Sequence, residues 1–196
     1  MQKYSFFGYD FYIFRNVNIY GIGPGTEFNK GLEKLLDESE HIDSNSRGIT
    51  KSTVEDTLAV ERLPDSSNLI YHICKNFQTV WSETRSLKII RIWANKMLQG
   101  SEGTIHDHPS KQKDQMVTCV GIYYYQVPKD SANLVFVNPG IDWKGKPITD
   151  IDPKHVLEIK IEENMMILHD PMMPHGITTH KNTIPRISII FEIMAT

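Results

Sequence analysis

Pro174-His175-Gly176-Ile177-Thr178-Thr179-His180, followed after a short break by Arg186-Ile187-Ser188-Ile189-Ile190-Phe191, decides how this chain is read. A histidine leaves a proline-marked turn, and eleven residues later an arginine opens a hydrophobic run. Side chains along a strand alternate, so Arg186, Ser188 and Ile190 share one face while Ile187, Ile189 and Phe191 share the other. Burying an inward arginine is costly unless an anion meets it. The anion is either an internal acid, such as Glu192 or Asp170, or a bound carboxylate.

Working outward, the chain divides by its periodicities. Tyr4, Phe6, Phe7, Tyr9, Phe11, Tyr12, Phe14 and Tyr20 predict one or two early strands before Gly21, Gly23, Pro24 and Gly25 break the run. Phe28, Leu32, Leu35 and Leu36 follow helical spacing, and residues 41–56 read as a polar loop. Leu69, Ile70, Ile73, Cys74, Phe77, Val80 and Trp81 form an apolar stripe that predicts a helix over 66–84, with Pro64, Asp65 and Ser66 as its start signals. Strands are expected at 87–98, 103–108, 116–127, 133–137, 155–161, 164–169, 176–180 and 186–194. The resulting class is α+β, mainly β: a sandwich or barrel with helices buttressing one sheet. Residues 1–196 are expected to form one domain, with 1–85 supplying N-terminal strands and supporting helices and 86–196 the β core. The loop 138–154 and the aromatic N-terminus are expected to contribute walls to a site.

Bulk properties narrow the function. At 40% hydrophobic and 23% charged residues the composition is that of an ordinary globular protein, and a net charge of −3 argues against general binding to nucleic acid or anionic membrane. Two cysteines, Cys74 and Cys119, build no disulfide framework. Cys119 alternates with the Tyr124 face and is expected to pack. No apolar run reaches transmembrane length and the N-terminus lacks a leader pattern, so a cytoplasmic location is expected.

Six of the eight histidines follow residue 104. A lone histidine is more often a core or surface residue, so the argument rests on a constellation. On an extended strand His106 and His108 share a face with Asp107 on the other, and His175 arrives from a later strand. Three ligands on one side of a metal leave open positions, the arrangement of mononuclear non-haem iron oxygenases.

Here the chain resembles the iron(II)- and 2-oxoglutarate-dependent oxygenases of the double-stranded β-helix (jelly-roll, cupin-like) fold, over roughly residues 90–195. The family pattern is His-x-Asp/Glu, a distal histidine, and Arg-x-Ser about ten residues further on; His175 and Arg186-Ile187-Ser188 match its second half. The run Val117-Thr118-Cys119-Val120-Gly121-Ile122-Tyr123-Tyr124-Tyr125 is similar to the strand that carries a 2-oxoglutarate-binding tyrosine in prolyl-hydroxylase-type members. Trp93-Ala94-Asn95-Lys96-Met97, Gly103 and His106-Asp107-His108-Pro109 are closer still to a subfamily with a His-x-His-Pro signature. The resemblance implies an iron(II) dioxygenase that hydroxylates an unidentified substrate and releases succinate and CO2. It implies that Arg186 pairs with the distal carboxylate of 2-oxoglutarate, with Ser188, Tyr124 and, on the same face, Thr118 beside it.

The chain departs from the pattern where the family places a carboxylate, for this chain has His108. One account is a three-histidine centre of His106, His108 and His175. A second ends the strand at His106 and lets Asp107 ligate. A third makes His108 the first histidine, with Ser110 in the acid position. His169 and His180 lie close enough in sequence to stand behind the ligands. A rival class is a cupin-like metal dioxygenase or isomerase without 2-oxoglutarate, although the glutamate usual there is missing, with Gln112 or Asp114 the nearest polar residues. A non-catalytic binding module on the same barrel is the third class. The expected partner is a small-molecule or peptide substrate, with no nucleic acid and no membrane, and homodimerisation is left open.

Overall fold

The computed structural model describes residues 1–196 except 41, 44, 57, 58, 84, 85, 109, 110, 113, 114, 145 and 196. In chain order the elements are β1 (Gln2–Phe6), β2 (Tyr9–Phe14), α1 (Glu27–Glu38), β3 (Ser46–Arg47), β4 (Thr50–Ser52), α2 (Ser66–Val80), β5 (Leu87–Met97), β6 (Glu102–His106), β7 (Lys111–Gln112), β8 (Gln115–Met116), β9 (Cys119–Gln126) and β10 (Leu134–Val137). Short 3-10 turns at Ile148–Asp150 and Pro153–His155 precede β11 (Val156–Ile159), β12 (Met165–His169), β13 (His175–Ile177) and β14 (Arg186–Ala195).

These strands make a seven-stranded sheet, β1-β2-β12-β9-β14-β5-β4, and a five-stranded sheet, β11-β10-β13-β6-β3, with β7-β8 as a separate hairpin. Alternation along the strands assigns the layers. Ile122, Tyr124, Ile167 and Ile190 of the larger sheet pack with Leu134 and Phe136 of the smaller one. The opposite faces of the same strands, Tyr123, Tyr125, Leu168, Ile187, Ile189 and Phe191, pack on Phe28, Leu32 and Leu36 of α1 and Leu69, Ile73 and Phe77 of α2. The result is the expected mainly β double-stranded β-helix, with both helices on one sheet. Gly121 lies opposite Phe191 in the β9–β14 register, where an added Cβ would stand 2.1 Å from a carbon of that ring. Only a glycine admits the ring there.

Several boundaries differ from expectation. Residues 41–56 are not simply a loop: Ser46–Arg47 and Thr50–Ser52 add edge strands to the two sheets. They are too short for a periodicity to register, and Thr50 and Ser52 are buried although polar. The second helix ends at Val80, where Trp81 donates its backbone N–H to Phe77 O at 3.0 Å. The strand expected at 103–108 stops at His106, and the one expected from 116 begins at Cys119. The loop 138–154 packs Trp143 and Ile151 on Ile105, Val135 and Val137, on the outer side of the smaller sheet. Neither it nor the N-terminal aromatics line the cavity described below. Among the described residues no helix is long and apolar enough to cross a membrane.

Candidate metal centre

The cavity between the sheets is built from β5, β6, β13 and β14. His106 ends β6 and His175 begins β13, directly opposite in the antiparallel register. Their ring centroids are 4.4 Å apart. His108 lies two residues past the end of β6, so strand alternation is not what aims it. Its backbone N–H donates to Pro171 O at 2.9 Å, and that bond folds the chain so that its ring stacks on His175, 5.2 Å between centroids and 5° between planes. One ligand atom from each of the three histidines lies within 4.8 Å of the others.

The ring nitrogens settle what the cluster offers. His106 Nδ1 meets Thr104 O at 2.9 Å and His175 Nδ1 meets Met173 O at 2.9 Å. His108 Nδ1 meets Glu192 Oε1 at 2.9 Å. Carbonyl and carboxylate oxygens accept only, so each Nδ1 carries the proton and each Nε2 keeps its lone pair. Burial first, and the neighbouring imidazoles second, hold the pKa of His175 well below the usual histidine value and lower that of His106. Three imidazoles whose Nδ1 atoms are engaged and whose Nε2 atoms face one another are a donor set that suits a divalent transition metal.

A second, anion-deficient region adjoins them. Arg186 is 2% exposed, and among the described residues its only hydrogen bond runs from NH1 to Met97 Sδ at 3.6 Å. Its Nε has no partner among the described residues. Neither candidate acid reaches it: Glu192 is held by His108 at 2.9 Å and Arg91 at 3.4 Å, and Asp170 caps Met172 N. Burial lowers the Arg186 pKa, yet guanidinium stays charged in proteins. The guanidinium carbon stands 5.1 Å from the centroid of the Tyr124 ring, whose hydroxyl is buried without a partner and whose pKa burial pushes up to about 12. Ser188 is buried at the cavity wall. An uncompensated guanidinium beside the unsatisfied Tyr124 hydroxyl fits a carboxylate ligand.

Other anticipated residues fall elsewhere. Thr118 is exposed; its hydroxyl accepts from Ala195 N at 3.0 Å, outside the cavity. The alternation that was to aim it inward does not extend before Cys119, where the strand begins. Asp107 lines the cavity but stands outside the three-histidine group. Ser110 and Asp114 lie outside the described residues. His169 does stand behind the cluster, its ring 4.7 Å from that of His175. His180 is a pin: its Nε2 meets Ile184 O at 2.9 Å. Sequence reasoning missed Thr50 and Asn95, which line the cavity with Thr50 Oγ1 and Asn95 Oδ1 unsatisfied. In-register pairing sets Thr50 beside Met97, and Met97 beside Arg186. Asn95 could have been found from its alternation with Trp93 and Met97; a three-residue strand gave no such signal for Thr50.

Residues 91–192 match the profile of a protein family described as "Putative 2OG-Fe(II) oxygenase". The chain belongs to the 2OG-Fe(II) oxygenase family. Its cofactors are therefore iron(II) and, as cosubstrate, 2-oxoglutarate, and both the imidazole trio and the buried Arg186 suit them. Solved structures of the same fold include the α-ketoglutarate-dependent epimerase SnoN from nogalamycin biosynthesis, with 12% identity over 94% of this chain and 76% of that one, TM-score 0.68. HygX from Streptomyces hygroscopicus, with nickel and 2-oxoglutarate bound, has 12% identity over 95% and 83%, TM-score 0.62. A Pseudomonas putida prolyl-4-hydroxylase has 7% identity over 95% and 92%, TM-score 0.57. At such identities the likeness concerns the fold of this 2OG-Fe(II) oxygenase. A search of curated proteins found no match to its sequence.

Proposed function

We propose that this oxygenase holds iron(II) through His106, His108 and His175 and uses 2-oxoglutarate and dioxygen to hydroxylate its substrate. The observation that carries the reading is the buried Arg186, without an acid, in the cavity that the three histidines line. Bound together, iron(II) and 2-oxoglutarate would let dioxygen act as the oxidant, two of its four electrons coming from 2-oxoglutarate as it becomes succinate and CO2 and two from the hydroxylated substrate. The chain supplies the rest. Arg186 takes the distal carboxylate in fork geometry, and Ser188 and Tyr124 add hydroxyl donors. Ile122, Leu134 and Ile190 give the cavity an apolar wall that limits water around the bound groups.

The cavity measures about 190 Å³, below the roughly 300–1,000 Å³ of pockets that enclose drug-sized ligands. The cosubstrate and the reacting group fill it, and the rest of the substrate extends past the more exposed lining residues Asp43, Asn45, Ser46 and Asp107. The His106-Asp107-His108-Pro109 run supports placing the chain in a branch with a His-x-His-Pro signature.

Succinate formation that requires iron(II), dioxygen and 2-oxoglutarate together tests the reading, and incorporation of 18O from dioxygen into the product tests hydroxylation. The second test matters because structures of this fold include an enzyme named as an epimerase and another as a carbocyclase. The three-histidine donor set also favours a cupin-like dioxygenase or isomerase without 2-oxoglutarate. In that reading Arg186 has no anion to meet, and an iron-loaded protein that ignores 2-oxoglutarate is the result that selects it.

A further inference from the structure

Glu192 is fully buried on β14. It follows Arg186, Ser188 and Ile190 on the inward face and lies opposite Arg91 and Val120 in the register. A carboxylate withdrawn from water is costly, and Oε2 of this one is unsatisfied among the described residues. Its other oxygen accepts from His108 Nδ1 at 2.9 Å and stands 3.4 Å from Arg91 NH1. The arginine contact is the longer, and the Arg91 side chain is 26% exposed, so solvent weakens its hold on the charge. The firm partner of Glu192 is His108.

The three ring N–H groups are thus not equivalent. His106 and His175 donate to backbone carbonyls, whereas His108 donates to a carboxylate. A carboxylate behind an imidazole fixes its tautomer and orientation and makes the far nitrogen a stronger donor to a metal. His108 needs this most, because it stands beyond the end of β6 without a ladder to hold it.

We propose that Glu192 is a positioning residue for the metal centre, one that locks His108 with Nε2 toward the metal and sets a carboxylate behind a ligand set made of imidazoles alone. The proposal rests on the three-histidine reading above. Cobalt(II), which substitutes for iron(II) without air sensitivity and reports its ligands in visible absorption, is the probe, titrated into the full chain. Glu192→Gln keeps the shape and an acceptor oxygen but removes the charge. Cobalt affinity is expected to fall roughly tenfold to a hundredfold, with altered absorption bands. In a His108→Ala background the same substitution is expected to change cobalt affinity by less than about twofold, since the ring through which Glu192 acts is gone. Wild-type affinity and bands in Glu192→Gln overturn the proposal, as does an equal loss with and without His108, which marks a general loosening. Should Glu192→Gln fail to fold, Glu192→Asp decides: it withdraws the charge from Nδ1, and unchanged affinity and bands again overturn the proposal. A wild-type protein that takes up no cobalt overturns the three-histidine reading itself, a result distinct from all of these.

Discussion

His106 and His175 face each other in register across the β6–β13 pair, Nδ1 of each tied to the carbonyl two residues before it. The backbone therefore aims two Nε2 atoms at one point before any metal arrives, and His108 closes the set from a neighbouring loop. His175→Ala should abolish stoichiometric iron(II) binding in anaerobic protein, because two imidazoles hold a labile metal poorly. Asp107→Ala should retain it, since Asp107 stands outside the group. Metal analysis after gel filtration checks both. Iron retained at one equivalent by His175→Ala removes that residue from the ligands, and iron lost by Asp107→Ala restores the aspartate to them.

Arg186 gives the cosubstrate prediction. Charge-assisted bonds are worth roughly 1.5–3 kcal/mol each, so Arg186→Ala should weaken 2-oxoglutarate binding by about tenfold to several hundredfold while iron stays bound. Arg186→Lys should recover only part, because an ammonium cannot reproduce the planar fork. Titrating 2-oxoglutarate into the anaerobic iron(II) protein and following the visible charge-transfer absorption gives both affinities. Unchanged affinity in Arg186→Ala would leave the guanidinium a structural group.

Cys119 tests the layer assignment. It is fully buried among the residues facing the helices, and burial pushes its thiol pKa up, so it is neither thiolate nor ligand. Cys119→Ala should keep metal binding and turnover and lose about 1 kcal/mol of stability, a typical figure for one core substitution. Lost turnover with fold and iron intact would show that this face of β9 belongs to the site.

These residues also show what sequence could disclose. The long strands and both helices were legible because ten or more residues of alternation or helical spacing leave an unmistakable pattern, and Arg186 was legible because a charge on such a strand is costly. What failed was alternation carried past a strand end. Thr118 lies before β9 starts and His108 after β6 stops, so the parity that aimed both of them has no ladder beneath it. His108 joins the cluster anyway through Pro171, a contact between residues 63 positions apart that no local pattern encodes. Glu192 was visible only as a candidate partner for Arg186; the structure gives it to His108 instead, because Arg186 and Glu192 sit six residues apart along an extended strand.

Acid should unfold the metal-free protein by way of its buried histidines, and His169 isolates the effect. Its ring is enclosed against Phe136 and His175, its Nδ1 meets Asp170 O at 2.8 Å, and Nε2 has no partner among the described residues. Burial pulls its pKa down from 6.5 to about 3. Between those values the unfolded chain binds a proton that the folded chain refuses, so stability is complete above pH 6.5 and declines as pH falls through the window. One such group contributes up to about 1.4 kcal/mol per pH unit. His106 and His175, with lowered pKa values, act with the same sign. His169→Phe keeps an aromatic ring at the position and deletes one titration. Chemical denaturation of metal-free protein from pH 6.5 to 5, above the range where carboxylates protonate, should show a slope shallower by up to one proton in the variant. Equal slopes would mean that His169 takes up its proton in the folded state, which requires a buried acceptor at Nε2 or an opening of the C-terminal end of β12, where His169 stands.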